Sequence, residues 1–484
     1  MNHRLRVWLT VALLLSAALF LPSWAEEELL LEEAAGILPL EGESRLRIEG
    51  AFSRVRVRPG KEGELRFLST PTDDPKESLN IPLWTDGTWL IFRPEAAVSE
   101  DPDAVPEPFG SLEVAVPMDM LVALDVYGGE VNVSGLRDDL EVEAVDAEVV
   151  ASNLHGPASF VLTGGSFNGH HFKQALDLDG ADVSGKLQDI TGETLLALAG
   201  GAMELVRVRA LTGSVEEGGL KLEGVAGRLE LDADSSRVEI SDLAEGELRL
   251  SRTPLSLTGG KGAISIDSDG EVILDQADGE VRVTGFGADV TVSGGEGSIF
   301  LEVEGGSVEL SATTGPIEVN GAGLVVEANH TAGDLTMQLS DSEIQVAEAS
   351  GALTLANEFG PIEVSRSRGK VDITNREGDV SVLGSSTAIQ LDVEGGDIDL
   401  SWEILSGKED SIVNSSGGDV SLTLPTKGGC RLELSADGGV QSEHPQVQVQ
   451  GNSNNVNATL NRFSRPSLRV TSDGVVYVYG GEGP

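Results

Sequence analysis

The sequence predicts an all-β chain dominated by a parallel β-solenoid (β-helix) of nine-residue strand-turn repeats, with two strands per coil and a β cap at each end. Three observations lead there. From Val272 to Ile398, every ninth residue is aliphatic in all 15 units, and the residue two places further on is apolar in all 15. The residue between them is polar in 13 of the 15 units, an apolar-polar-apolar alternation that marks a strand with one buried face. Glycine stands two places before the first apolar position in 11 of the 15 units, among them Gly270, Gly279, Gly306, Gly333, Gly360 and Gly378.

Repetition without insertion or deletion argues for stacked coils, because separate hairpins with variable turns would lose register. Each coil offers its backbone groups above and below, so the next coil pairs at roughly 4.8 Å and the stack propagates. The corner glycines are expected to turn the chain with φ > 0. Val303, Leu339 and Val393 are large and apolar four places into their units and lie 36 and 54 residues apart. Both separations are multiples of 18 and favour two strands per coil; Trp402 falls on the other phase.

The elements run as follows. Residues 1–25 read as a signal peptide: Arg4 and Arg6, an apolar run from Val7 to Leu21, then Ser23 and Ala25 at the cleavage positions. Residues 26–110 form an N-terminal β cap, with strands at Arg45–Ile48, Arg54–Val57, Glu64–Leu68 and Thr88–Phe92 and a Pro-rich acidic loop from Pro94 to Gly110. The solenoid occupies 111–425. Its earlier coils slip in spacing, as at Leu220/Leu222, Leu229/Leu231 and Val238/Ile240, which implies loops or bulges at corners. Residues 426–484 form the C-terminal cap, closed by Ser467–Val470 and Val475–Tyr479.

Gly395-Gly-Asp-Ile-Asp-Leu400, Gly417-Gly-Asp-Val-Ser-Leu-Thr-Leu-Pro425 and Arg465-Pro-Ser-Leu-Arg-Val-Thr-Ser-Asp-Gly474 are low-complexity motifs with a recognisable order. Together with Leu112–Pro117 and Val126–Val133, they make the chain similar to the "putative adhesin" domain family of bacterial envelope proteins, formerly a domain of unknown function. The resemblance covers most of residues 40 to 480. It implies export, an envelope or surface location and no known catalytic activity, and it brings no functional residues to carry over.

Charge narrows the partners. Against 33 lysines and arginines stand 80 aspartates and glutamates, a formal charge of −47 that excludes nucleic acid, whose phosphates need the opposite sign. Cations, basic proteins or a surface polysaccharide remain as partners. The single cysteine, Cys430, forms no intrachain disulfide, and its even spacing with Leu432 and Leu434 gives it a core position rather than a nucleophile's.

Candidate chemistry is thin. A calcium β-roll needs Gly-Gly-x-Gly-x-Asp, and the nearest match, Gly294-Gly-Glu-Gly-Ser-Ile299, puts Ile at the ligand position. The acidic groups Asp177/Asp179/Asp182 and Asp267/Asp269/Glu271 fit ordinary turns. Consecutive His170 and His171 should point to opposite faces. Thr336 and Thr354 alone do not make the threonine column of an ice-binding face. With 18 residues per coil, one outer face stacks Ile273, Thr291, Glu309, Glu327, Gln345, Glu363, Ser381 and Asp399. Like charges at Glu309, Glu327 and Glu363 make this ladder the one candidate metal site, with calcium as its ion and no other cofactor expected.

The expectation is therefore an exported, non-catalytic envelope or surface protein in the periplasm, at the cell surface or outside the cell. It would serve as an adhesin or interaction scaffold. The alternatives are a divalent-cation-binding module and a polysaccharide-active β-helix enzyme. Aromatics make up only 4% of the chain, which leaves few platforms for sugar rings in such an enzyme.

Overall fold

A computed structural model describes residues 28–71, 81–94, 108–405, 409–425, 428–450, 453–461 and 465–481. The expected signal peptide and most of the Pro-rich loop lie outside these. Among the described residues there are 40 strands and no helix, hence none long and apolar enough to cross a membrane. The chain divides into two compact units, residues 1–166 and 167–484. Each is built of parallel coils of a β-solenoid.

In the second unit, alternation sets the coil. Val272, Leu274, Val281 and Val283 are fully buried, whereas Glu280 and Arg282 face outward. Each buried aliphatic contributes about 1.5–3 kcal/mol relative to exposure. The register is Val272↔Val290, Val290↔Val308 and Val308↔Val326, an 18-residue step that establishes two strands per coil. In the slipped region the structure has bulges, one of the two alternatives its spacing allowed. Strands Ala202–Glu216, Gly219–Asp234 and Arg237–Ser251 each run through a whole coil, with register shifts at Val208/Leu211 and Val225/Arg228. Perfect repetition stops after Leu400 because the next rung pairs Ile398 with Val420, a 22-residue step.

The corner glycines do a different job from the one expected. Of the 11, only Gly306 and Gly360 have positive φ. The left-handed turn falls three residues earlier at one corner, on Gln276, Gly294, Ala312, His330, Glu348 and Arg366, one per coil. Gly279, Gly297, Gly315, Gly333, Gly351 and Gly369 instead stack in a column, each so close to the carbonyl of the glycine one coil before that an added Cβ would come within 3.0 Å of it. Coil-to-coil approach, rather than φ, requires glycine there. The column ends at Thr387, whose hydroxyl donates to the Gly369 carbonyl at 2.7 Å.

The first unit begins its coils inside the stretch expected as cap. Arg45–Ala51 and Arg54–Pro59 are coil strands, paired in parallel with Leu121–Tyr127 (Leu46↔Val122) and Glu130–Ser134 (Val55↔Val131). On their other side lie Trp89–Phe92 and Ser111–Val116, which follow them in sequence. The first coil in the chain is thus the second in the stack. Antiparallel strands complete the cap: Ile81–Asp86 with Glu28–Glu33, and Glu64–Thr70 with Ala35–Pro39. At the other terminus, in the second unit, Ser467–Ser472 and Val476–Gly481 slot between the preceding coil and Arg431–Ser442, and antiparallel Ser453–Thr459 lies outside.

Candidate binding faces

The acidic ladder forms with the anticipated register. Ile273, Thr291, Glu309, Glu327, Gln345, Glu363, Ser381 and Asp399 pair rung by rung. Glu309 and Glu327 are adjacent and exposed, whereas Gln345 separates Glu327 from Glu363. A shallow depression of about 130 Å³ lies along Glu327, Gln345, Glu363 and Ser381. Among the described residues no three His, Cys, Asp or Glu side chains converge as a metal shell.

The opposite sheet carries a larger groove, about 720 Å³. Its outer row reads Gln338, Ala356, Thr374, Asp392, and the small Ala356 between longer neighbours supplies depth. Arg376 walls one side, bound to Glu358 at 2.6 Å and Glu394 at 3.3 Å, and these carboxylates hold its guanidinium pKa above the ordinary value. Sequence reasoning missed this groove because its cue is a small residue in an outward position, which periodicity ignores. Thr336 and Thr354 are adjacent rungs flanked by Glu318 and Asp372, so no threonine column extends beyond them.

Both faces, from Ser307 onward, lie in a stretch whose repeats share one sequence signature. Residues 307–476 match the model of the Toastrack family, DUF4097. This bears out the resemblance to the adhesin-type domain family, for Gly395–Leu400, Gly417–Pro425 and Arg465–Gly474 all fall within the match. No curated protein matches the chain. A solved structure described as a "putative cell adhesion protein" from Clostridium sporogenes aligns over 94% of this chain and 100% of its own. Its identity is 8% and its TM-score 0.13, a superposition too poor to carry any property across.

In and before the Toastrack segment, corner residues form charge columns between coils. His330 and Arg366 both meet Glu348 at 2.8 Å, and Arg207 meets Asp189 at 2.6 Å, with His171 at 3.7 Å. The consecutive His170 and His171 depart from expectation: both are exposed, with ring centroids 5.1 Å apart. The left-handed backbone at His171, φ 61°, breaks the alternation that would have separated them. Asp182 likewise turns a corner with φ 57°, and Asp269 accepts from the Arg252 backbone N–H, so both acidic groups serve as turns. Cys430 is buried, and desolvation pushes its thiol up to about 11, which suits a core position.

These charges predict a pH profile. The hydrogen bond from Arg207 holds the Asp189 carboxyl below the usual range, Lys186 does the same for Glu204, and Arg252 for Asp234. A carboxyl lowered in the folded state stabilises above its unfolded pKa, and that contribution disappears as pH falls through the folded value. Asp125 is opposite: burial, then Glu143 and Glu49 on the flanking rungs, raises it, so protonation relieves the folded state. Acidification from pH 7 should therefore first raise the melting midpoint as crowded acids neutralise, then lower it below roughly pH 4 as paired carboxylates protonate. A midpoint falling steadily from pH 7 would contradict this.

Proposed function

We propose that this chain is an exported, non-catalytic scaffold of the cell envelope or surface that binds partners along its solenoid faces, in the manner of an adhesin. The observation that carries the reading is the unbroken 18-residue register from Val272 to Leu400. It turns each outer face into long parallel rows of side chains with no inserted loop to close a cleft. The Toastrack match supports the same reading. The groove carboxylates Glu358 and Glu394 are both bound to Arg376, so neither stands free as the proton donor a glycosidase needs.

Fractionation of cells expressing the full chain, with protease treatment of intact cells, tests the location. The chain should be recovered from the envelope or medium and be cut from outside or after outer-layer permeabilisation. Retention in the cytoplasm would refute the proposal. A second reading rests on Glu309 and Glu327 as adjacent like charges without a cationic partner among the described residues. If the ladder holds a divalent cation, millimolar calcium raises the melting midpoint and Glu327→Gln removes the rise. An unchanged wild-type midpoint ends that reading.

A further inference from the structure

Five of the chain's 33 lysines and arginines fall between Arg45 and Arg58. In Arg54–Pro59 the buried partners Val55 and Val57 alternate with Arg54, Arg56 and Arg58, so all three arginines point outward from one strand. Periodicity alone could have found this Arg-Val alternation, a basic stripe in a chain of charge −47.

The rungs above explain what the stripe leaves free. Arg54 pairs with Glu130, with both Nε and a terminal nitrogen 2.7 Å from Oε2. Asn132 donates to the other oxygen, Oε1, at 2.6 Å. Both oxygens of Glu130 thereby accept hydrogen bonds, and the bonds from Asn132 and Arg54 hold its carboxyl below the usual range. Arg56 stands on the next row, beside Asn132 and Glu113, and has no ion-pair partner among the described residues. One step on, Ser134 and Ser152 are neighbours across the ladder. Arg54, Arg56, Asn132, Ser134 and Ser152 line an outward cavity of about 380 Å³, with Val133 and Val150 in its wall and Glu130, held by Arg54 and Asn132, at its edge. That volume is in the range of small-molecule sites.

We infer that this cavity binds a saccharide unit bearing an anionic group, carboxylate or sulfate. A planar guanidinium that makes no close ion pair among the described residues matches such a group with two parallel hydrogen bonds. The two serine hydroxyls, about 4.8 Å apart along the ladder, add donors and acceptors for ring hydroxyls, which a bare inorganic anion would not use. The overall negative charge does not prevent this, because at physiological salt charges beyond about 8 Å are largely screened while the arginine stripe is adjacent. The inference deepens the adhesive reading by naming a ligand class, and it rests on that reading for its biological setting.

The experiment titrates the purified full chain, by calorimetry, with tetragalacturonate, a sulfated heparin tetrasaccharide, neutral maltotetraose and inorganic sulfate. One or both acidic tetrasaccharides should bind, and which one does identifies the anionic group. Arg56→Ala should weaken that binding at least about tenfold, as loss of a charge-assisted pair does. Ser152→Ala should weaken it less. Arg282→Ala, a change at an exposed arginine paired elsewhere with Glu302, should leave it unchanged. Arg56 and Arg282 are exposed and Ser152 is half-buried, and unchanged melting would show that each variant is folded. The inference is overturned if neither acidic probe binds at millimolar concentration, if Arg56→Ala binds as well as wild type, or if maltotetraose or inorganic sulfate binds equally tightly. Because this readout uses purified protein, its failure is distinct from a failure of the cell-surface experiment.

Discussion

Gly333→Ala should destabilise the second unit by about 3 kcal/mol or more, near the top of the range for overpacking a well-packed site. The new methyl would fall on the Gly315 carbonyl oxygen and carbon, both closer than any real Cβ contact. A flexible side chain could swing aside, but here the obstacle is backbone. Gly315 is itself pressed against Gly297, and Gly351 against Gly333, so relief at one coil is blocked by the next. Gly42→Ala is the control: nothing lies within 4 Å of its added Cβ and its φ is not positive, so the change should stay within about 0.5 kcal/mol. Urea unfolding measures both. Hydrogen exchange should place the loss at the coils flanking Gly333, since repeat stacks open locally. An effect on Gly333→Ala as small as the control's would show that the column tolerates a methyl.

The second large effect is at Trp402. Its side chain is 1% exposed, the largest of the fully buried residues, and it enters the core where the register shifts from Val382 to Ser385. Adjacent Ser401 is also buried, and its hydroxyl accepts the Gly384 N–H at 2.8 Å. Two consecutive inward residues are possible only because this coil breaks alternation. Trp402→Ala should cost about 3–5 kcal/mol, transfer and cavity together. Trp402→Phe should cost clearly less, because the indole Nε1 has no hydrogen-bond partner and its removal relieves a buried orphan donor. Equal losses for the two variants would mean that the N–H is satisfied in solution.

Which features could be read from sequence follows from what each depends on. Aliphatic spacing reports burial directly, so Val272 to Leu400, the two-strand coil and the Glu309–Glu327 adjacency were all legible. The reason for glycine at Gly279 or Gly333 was not, because a positive φ and a close backbone approach select the same residue. His170 and His171 were misplaced since one left-handed residue, invisible to a period-two reading, changes a face. The groove at Ala356 depends on relative side-chain length across coils 18 residues apart, and the Arg56 cavity on Glu130 being consumed by its neighbours. Both require knowing which rungs touch.

The order of strands at the termini bears on how the ends come apart. In an ordinary stack the last residues of the chain form the outermost rung and can peel away alone. Here Ser467–Ser472 is gripped on both flanks, by Ser411–Ser416 and by Arg431–Ser442, and Arg45–Ala51 is gripped likewise by Leu121–Tyr127 and Trp89–Phe92. Releasing either segment severs two ladders at once and strands the outer rung beyond it. Each of these two strands therefore acts as a keystone: it is locked in place by chain that comes later or earlier in sequence, and its release opens the rungs on both sides together.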